Sequence, residues 1–366
     1  MLRTEEMLLN VGPQHPSTHG VFRLVLKIDG EIIKEAKPVI GYLHRGTEKL
    51  AEDLQYTQII PYTDRMDYVS AMTNNYVICH AVETMMDIKV PERAEYLRVL
   101  AMELGRYCSH MLWWGTFLLD FGATTPLLYA FREREMALNL LNELSGARIT
   151  FNYMRVGGVK WDAPEGWIEK VKEFVPYARE QLKGYSEFAS GNEIFQSRMK
   201  GIGKFSKEDA LNYSISGPSL RSTGVKWDLR KNEPYSIYDR FDFDIVTQEA
   251  GDVWSRYLVR LGEVEQSLRI IEQACEQFPS EGDIMAKVPK IIKPPKGEAF
   301  VRIESPRGEI GCYIASEGKK EPYRLKFRRP SFYNLQILPK LLEGESISNL
   351  IAILGAVDII LGEVDG

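Results

Sequence analysis

PERAEYLRVLAMELGRYCSHMLWWGTFLL, residues 91 to 119, is the stretch on which the fold turns. Leu97, Leu100, Ala101, Leu104, Cys108 and Met111 recur at steps of three and four, which places them on one stripe of an α-helix. Pro91 followed by Glu92 opens it, because proline suits the first helical position and carboxylates suit the positive end of the helix dipole. Two segments of similar pattern precede it from about Thr47, and one follows at about 127–145. Residues 47 to about 187 therefore read as a helical bundle, with Gln248 to Gln277 as a further long helix. Arg65-Met66-Asp67-Tyr68 reads as the beginning of one of the earlier helices, after Pro61-Tyr62-Thr63-Asp64.

Both ends of the chain change period. Met7 to Val11, Val21 to Ile28 and Glu31 to Ile40 are β-prone, and Asp29-Gly30 between the last two is a hairpin signal. Ala299 to Glu304, Gly311 to Ser316 and Tyr323 to Phe327 read as a β-meander, with helical patterns after it. Residues 151–163 and 214–246 look like ordered loops, since aromatic residues are frequent in them. The basic, proline-rich stretch Lys287 to Gly297 is the best linker candidate. No internal repeat is present. The expectation is an α+β fold, mainly α. It has an N-terminal β region (1–45), a helical core with ordered loops (46–286), and a C-terminal meander with helices (287–366) that completes the same domain.

Composition bounds the function. The 366 residues are 44% hydrophobic and 27% charged with net charge -5, an ordinary globular balance that gives no field for nucleic acid. Met1-Leu2-Arg3-Thr4-Glu5-Glu6 lacks a signal peptide's basic start and apolar run. No stretch reaches the roughly 18 apolar residues of a membrane span. The longest, Leu350 to Leu361, is broken by Gly355 and Asp358, so membrane association is expected only through partners. Cys79, Cys108, Cys275 and Cys312 are dispersed, which suits buried thiols and supplies neither a zinc nor an iron–sulfur ligand run.

Site chemistry is sparse on residue pattern alone. No HExxH pair, GxGxxG loop or GxSxG elbow occurs, although Gly157-Gly158 follows Arg155. His15 and His19 lie in the turn-rich loop Gly12-Pro13-Gln14-His15-Pro16-Ser17-Thr18-His19-Gly20, where polar turn residues are the favoured reading over a metal pair. A histidine there can also donate a hydrogen bond to a bound carbonyl. Arg106 and His110 share a helix face. A helix surface paired with Glu103 and a functional site are equally good accounts of them. Tyr68 by itself reads as core or boundary packing.

Taken together, that loop and a series of further segments closely resemble the D-type, or 49 kDa-type, subunit family of NADH:quinone oxidoreductase (respiratory complex I). The series runs through Gly41-Tyr42-Leu43-His44-Arg45-Gly46-Thr47-Glu48-Lys49, Arg65-Met66-Asp67-Tyr68, Leu118-Leu119-Asp120-Phe121-Gly122-Ala123 and Phe131-Arg132-Glu133-Arg134-Glu135. It continues with Arg155-Val156-Gly157-Gly158-Val159, Leu220-Arg221-Ser222-Thr223-Gly224-Val225, Glu304-Ser305-Pro306-Arg307-Gly308-Glu309, Arg329-Pro330-Ser331-Phe332 and the Asp358–Asp365 tail. The tail departs from the family pattern at Ile359-Ile360 and at the terminal Gly366.

The resemblance implies a fold like nickel–iron hydrogenase large subunits. Arg45-Gly46-Thr47-Glu48 and the Asp358–Asp365 tail fall where paired CxxC motifs would hold the metal, and neither contains cysteine, so no metal is expected in this chain. It implies a quinone substrate in the vacated cavity, hydrogen-bonded by His19 and Tyr68, with Asp120 paired to the histidine. Arg65 and His110, and with less force Arg106, would face a [4Fe–4S] cluster in an adjacent subunit. The implied partners are the cluster-bearing B-type subunit, the C-type subunit and the H-type membrane subunit of the same complex. The implied setting is the cytoplasmic side of the cell membrane, where quinone reduction is coupled to ion pumping. A structural scaffold without quinone chemistry is the alternative.

Overall fold

Leu24, Leu26 and Ile28 alternate with half-buried residues along one N-terminal strand, so one face of a small sheet is committed to the core. The computed structural model describes residues 6–14 and 20–366. β1 (Glu6–Val11), β2 (Arg23–Asp29) and β3 (Ile32–Val39) form an antiparallel sheet in that order, and Gly30 takes a positive φ in the expected hairpin turn. The far edge of β3 is closed by the chain's end: Ile33 N donates to Glu345 O at 2.9 Å and Gly344 N to Ile33 O at 2.8 Å.

Helices follow: α1 (Thr47–Ala51), α2 (Tyr56–Thr63), α3 (Ala71–Met86), α4 (Glu92–Asp120) and α5 (Thr124–Ser145). α4 is 29 residues long, and Leu97, Leu100, Ala101, Leu104, Cys108 and Met111 are all buried, as the spacing predicts. It is also covered on its other sides, by α3, α5 and elements further along, so its charged residues Arg98, Glu103, Arg106 and His110 are buried too. After the two-residue strands β4 (Met154–Arg155) and β5 (Gly158–Val159) comes α6 (Trp167–Ser190). Gly158 is obligatory there, because a Cβ would stand 2.0 Å from Ile284 O.

The loops expected in the middle of the chain are ordered and carry the short helices α7 (Glu193–Ser197), α8 (Lys207–Asn212), α9 (Gly217–Arg221) and α10 (Leu229–Asn232). α11 (Val253–Glu276) starts five residues later than the periodicity suggests. Asp252 caps it by accepting from Ser255 N at 2.8 Å, and Gly251 before it has φ 66°. The linker candidate is pinned to the body: Ser316 Oγ donates to Pro294 O within it, and Ala286 N, just before it, donates to Gly157 O. The meander is as expected, β6 (Gly297–Ser305), β7 (Gly308–Ser316) and β8 (Arg324–Arg328), with β6 packed on α3. α12 (Pro330–Leu335), α13 (Leu338–Leu342), α14 (Leu350–Val357) and α15 (Leu361–Asp365) end the chain. One cluster of buried apolar residues runs through all three expected regions. No helix among the described residues is long and apolar enough to cross a membrane.

Residues 65–68 do not begin a helix. α2 ends at Thr63, α3 begins at Ala71, and the segment between is a turn that Asp67 shapes with its own carboxylate, accepting from Val69 N at 3.2 Å. Asp64 in the same turn is fully buried, Oδ1 accepts from Asn152 N at 3.3 Å and Oδ2 has no hydrogen-bond donor. Burial pushes its carboxyl up to about 6. The native state therefore holds more protons than the unfolded chain between the ordinary carboxylate range and pH 6, and stability falls as pH rises through that window. Asp64→Asn is expected to stabilise the chain by about 1–3 kcal/mol at pH 8. The gain should shrink towards pH 5. Urea unfolding midpoints at the two pH values measure this, and an equal or lower midpoint for the variant at pH 8 would refute it.

Candidate functional site

The last turns of α4 supply one wall of a cavity of about 460 Å³, through Leu112, Trp113, Thr116, Leu119 and Asp120. The turn after α2 contributes Tyr68 and Val69, the β6–β7 turn contributes Arg307, and the tail after α14 contributes Asp358, Ile359 and Ile360. Tyr68 and Asp120, far apart in sequence, thus meet in one pocket. Tyr68 is 38% exposed, since it sits in the open turn rather than in the core. Burial raises its phenol above the usual range, and the Arg307 guanidinium opposes that. Asp120 ends the helix beside Gly355, where an added Cβ would be 3.5 Å from Oδ2. His15 and His19 lie outside the described residues. Gly20, at the end of their loop, packs on Leu361, one residue beyond the pocket wall, where a Cβ would meet Cδ1 at 3.2 Å.

The pocket has an ionic floor. Arg307 Nη1 donates to Asp67 Oδ2 at 2.7 Å and Ser109 Oγ at 3.0 Å, and Nη2 reaches Asp358 Oδ1 at 3.5 Å. Arg260 Nε lies 3.5 Å from Asp358 Oδ2, with its guanidinium 4.4 Å over the Trp113 ring. The two segments that the resemblance aligns with thiolate motifs do meet. Asp365 accepts from Gly41 N at 2.8 Å and Leu43 N at 2.7 Å, and Arg45 Nη2 donates to Arg65 O and Gly362 O. They are joined by carboxylate and guanidinium hydrogen bonds. Among the described residues no group of three or more His, Cys, Asp or Glu side chains is placed to hold a metal ion.

Arg106 and His110 occupy a different place. Both are buried in an ionic network rather than displayed on a helix surface. Arg106 pairs with Glu103, as the spacing suggests, and also donates to Glu304 O at 2.7 Å. His110 Nε2 is 3.0 Å from Glu263 Oε2. Burial lowers the His110 pKa while Glu263 works against it. Glu263 is itself opposed by burial, yet Arg221 and His110 hold it down to about 2. Arg230 joins Glu103 to Asp228. Arg65 stands apart from these, its side chain 51% exposed and Nη1 donating to Pro61 O at 2.6 Å.

Sequence reasoning gave no role to Arg307, Asp358, Arg221 or Glu263. One signal was available: Arg256, Arg260 and Glu263 recur at helical spacing on α11, an ionic stripe on one helix face. Fold and pocket define a mainly helical α+β protein whose tyrosine- and aspartate-lined cavity lies between its longest helix and its C-terminal tail. The chain belongs to the family of the respiratory-chain NADH dehydrogenase 49 kDa subunit, which matches residues 120–296 and 288–366. It is 79% identical to the D-type subunit of NADH-quinone oxidoreductase from Geobacillus kaustophilus, and the match covers 100% of both chains. The D-type subunits of Bacillus anthracis and Geobacillus thermodenitrificans are 80% and 78% identical over the same full length.

Proposed function

We propose that this chain is the quinone-module subunit of a respiratory complex I, and that the cavity between α4 and the tail receives the quinone head group. The observation that carries this reading is the convergence of Tyr68 and Asp120 on a cavity of about 460 Å³, within the usual range for small-molecule sites. Tyr68 donates a hydrogen bond to one quinone carbonyl. His19, oriented by Asp120, serves the other. Electrons arrive from a [4Fe–4S] cluster held by the B-type partner. The C-type partner and the H-type membrane partner complete the assembly at the cytoplasmic face of the cell membrane, where quinone reduction drives ion translocation. Arg65, being exposed, is the member of the arginine–histidine set able to meet a partner directly. Arg106 and His110 act on the cluster's potential through the field from within.

A photoreactive short-chain quinone tests the site in the assembled complex. Label is expected on peptides covering residues 112–120 and 358–360, and unmodified quinone should compete it away. Label confined to other chains, or to other parts of this one, would overturn the reading and favour a scaffold.

A further inference from the structure

Behind the pocket floor lies an acid cluster with too few cations. Asp67, Asp358 and Glu363 are 0%, 5% and 0% exposed. The guanidinium groups among them are Arg307, which pairs with Asp67 and Asp358, and Arg260, which pairs with Asp358. Three buried carboxylates share the ion pairs of two arginines, so one lacks a cationic partner of its own, and a buried site of this kind relieves that by keeping a proton. Glu363 is the acid with the weakest cationic support. Its Oε2 accepts from Ser331 N at 3.0 Å and from Ser331 Oγ, and Oε1 has no hydrogen-bond partner. Burial and then the Asp67 carboxylate push Glu363 up to about 7, against the opposing Ser331 and Arg307. Arg307 connects this acid to the pocket, since it lines the cavity and feels Asp358, Asp67, Glu363 and Tyr68 together.

We propose that the Asp67–Arg307–Asp358–Glu363 cluster holds one exchangeable proton, on Glu363, and returns it to Tyr68 after a quinone in the pocket has been reduced. This rests on the quinone reading above. Two electrons come from the partner's iron–sulfur carrier, and each ring oxygen gains one proton. At one oxygen the new O–H bond forms as the Tyr68 O–H bond breaks. The Tyr68 O–H bond re-forms as the Glu363 O–H bond breaks, and Glu363 is later reprotonated from solvent. At the second oxygen the new O–H bond forms as the N–H bond of His19, the donor proposed for it above, breaks. Glu363 acts through Tyr68 and does not touch the substrate. The other groups around it are fixed: Arg45 reaches Gly362 O, Arg329 lies against Gly366, and Asp365 is held by Gly41, Leu43 and His44.

Glu363→Gln in the whole complex is the test, read two ways. Infrared difference spectra between pH 6 and pH 8 should show protonated-carboxyl C=O intensity in the wild type, part of it from Asp64, and the share that Glu363 contributes should be missing from the variant, whether or not quinone is present. Reduction of a quinone analogue should fall about tenfold at pH 6. The wild-type decline with rising pH, centred near 7, should flatten in the variant, with KM unchanged and the partner's EPR signal intact. Ser331→Ala keeps the carboxyl but loses a donor to its charged form. Its decline should move to higher pH, and this variant carries the test if Glu363→Gln fails to assemble. Unchanged intensity overturns the proton store. Intensity lost with an unchanged pH profile overturns the transfer to Tyr68. Failure of the photoreactive quinone to label the pocket would instead sink the quinone reading, and the infrared result would stand by itself.

Discussion

Arg221→Met is expected to destabilise the chain by about 3–5 kcal/mol, a large part of the roughly 5–15 kcal/mol that holds a domain folded. Arg221 is fully buried at the end of α9. Nε and Nη2 contact Glu263 Oε1 at 2.8 and 2.7 Å, and Nη1 donates to Glu304 Oε1 at 2.8 Å and Trp227 O at 2.9 Å. Methionine fills much of the space but leaves two carboxylates in the interior, one with His110 as its remaining hydrogen-bond partner and the other with Leu229 N. The cost should depend on pH. Glu263 is held down to about 2, so its contribution to stability is present above the unfolded carboxylate pKa and lost as pH falls towards 2. The gap between wild type and variant should therefore narrow below pH 5. Adding Glu263→Gln should restore part of the loss, because the second change removes the stranded charge. Urea unfolding of the four chains in that cycle measures both effects, and strictly additive losses would sink the argument. The exposed pair Arg148–Glu135, by contrast, should be worth under about 1 kcal/mol.

The same network explains which parts of the molecule were legible in advance. The hairpin of β2 and β3, the meander of β6 to β8 and the length of α4 follow from local rules: an Asp-Gly turn, alternation, and apolar residues at helical steps. Those rules act within a few residues, and so do the two boundary errors. Asp67 and Asp252 spend their side chains on nearby backbone amides and so hold the chain out of the helices that periodicity extends over them. The burial of Arg106 and His110 was not legible. Spacing places them on a common face, but only tertiary structure says that the face meets Glu263 and Glu304 rather than water. The pocket divides in the same way. Tyr68 and Asp120 came from the family resemblance, whereas Arg307 and Asp358 acquire a role only because the tail folds back against the turn after α2. A residue's type shows what it can donate or accept, and distant partners decide what it does.

Tyr68→Phe should lower quinone reduction by about 10²-fold while leaving the chain as stable as before and the partner's EPR signal unchanged. The substitution removes one hydroxyl from a side chain 38% exposed at a pocket mouth, so no buried group is stranded by it. The expected pH behaviour separates this loss from one of shape. Burial keeps the Tyr68 phenol above its ordinary pKa, so the hydroxyl is protonated and able to donate throughout the range from pH 6 to pH 9. Its removal should therefore cost most near pH 6, where Glu363 still holds the proton that recharges the phenol, and less towards pH 8, while the variant's own rate stays flat with pH. A rate in Tyr68→Phe that itself falls with rising pH, centred near 7, would mean that Glu363 acts by a route other than the phenol. Full activity in Tyr68→Phe at every pH, with the cluster signal intact, would remove Tyr68 from the chemistry and leave the pocket as part of a scaffold. Combining Tyr68→Phe with Glu363→Gln sharpens the test further. If the acid works only through the phenol, the double variant should be no slower than Tyr68→Phe alone.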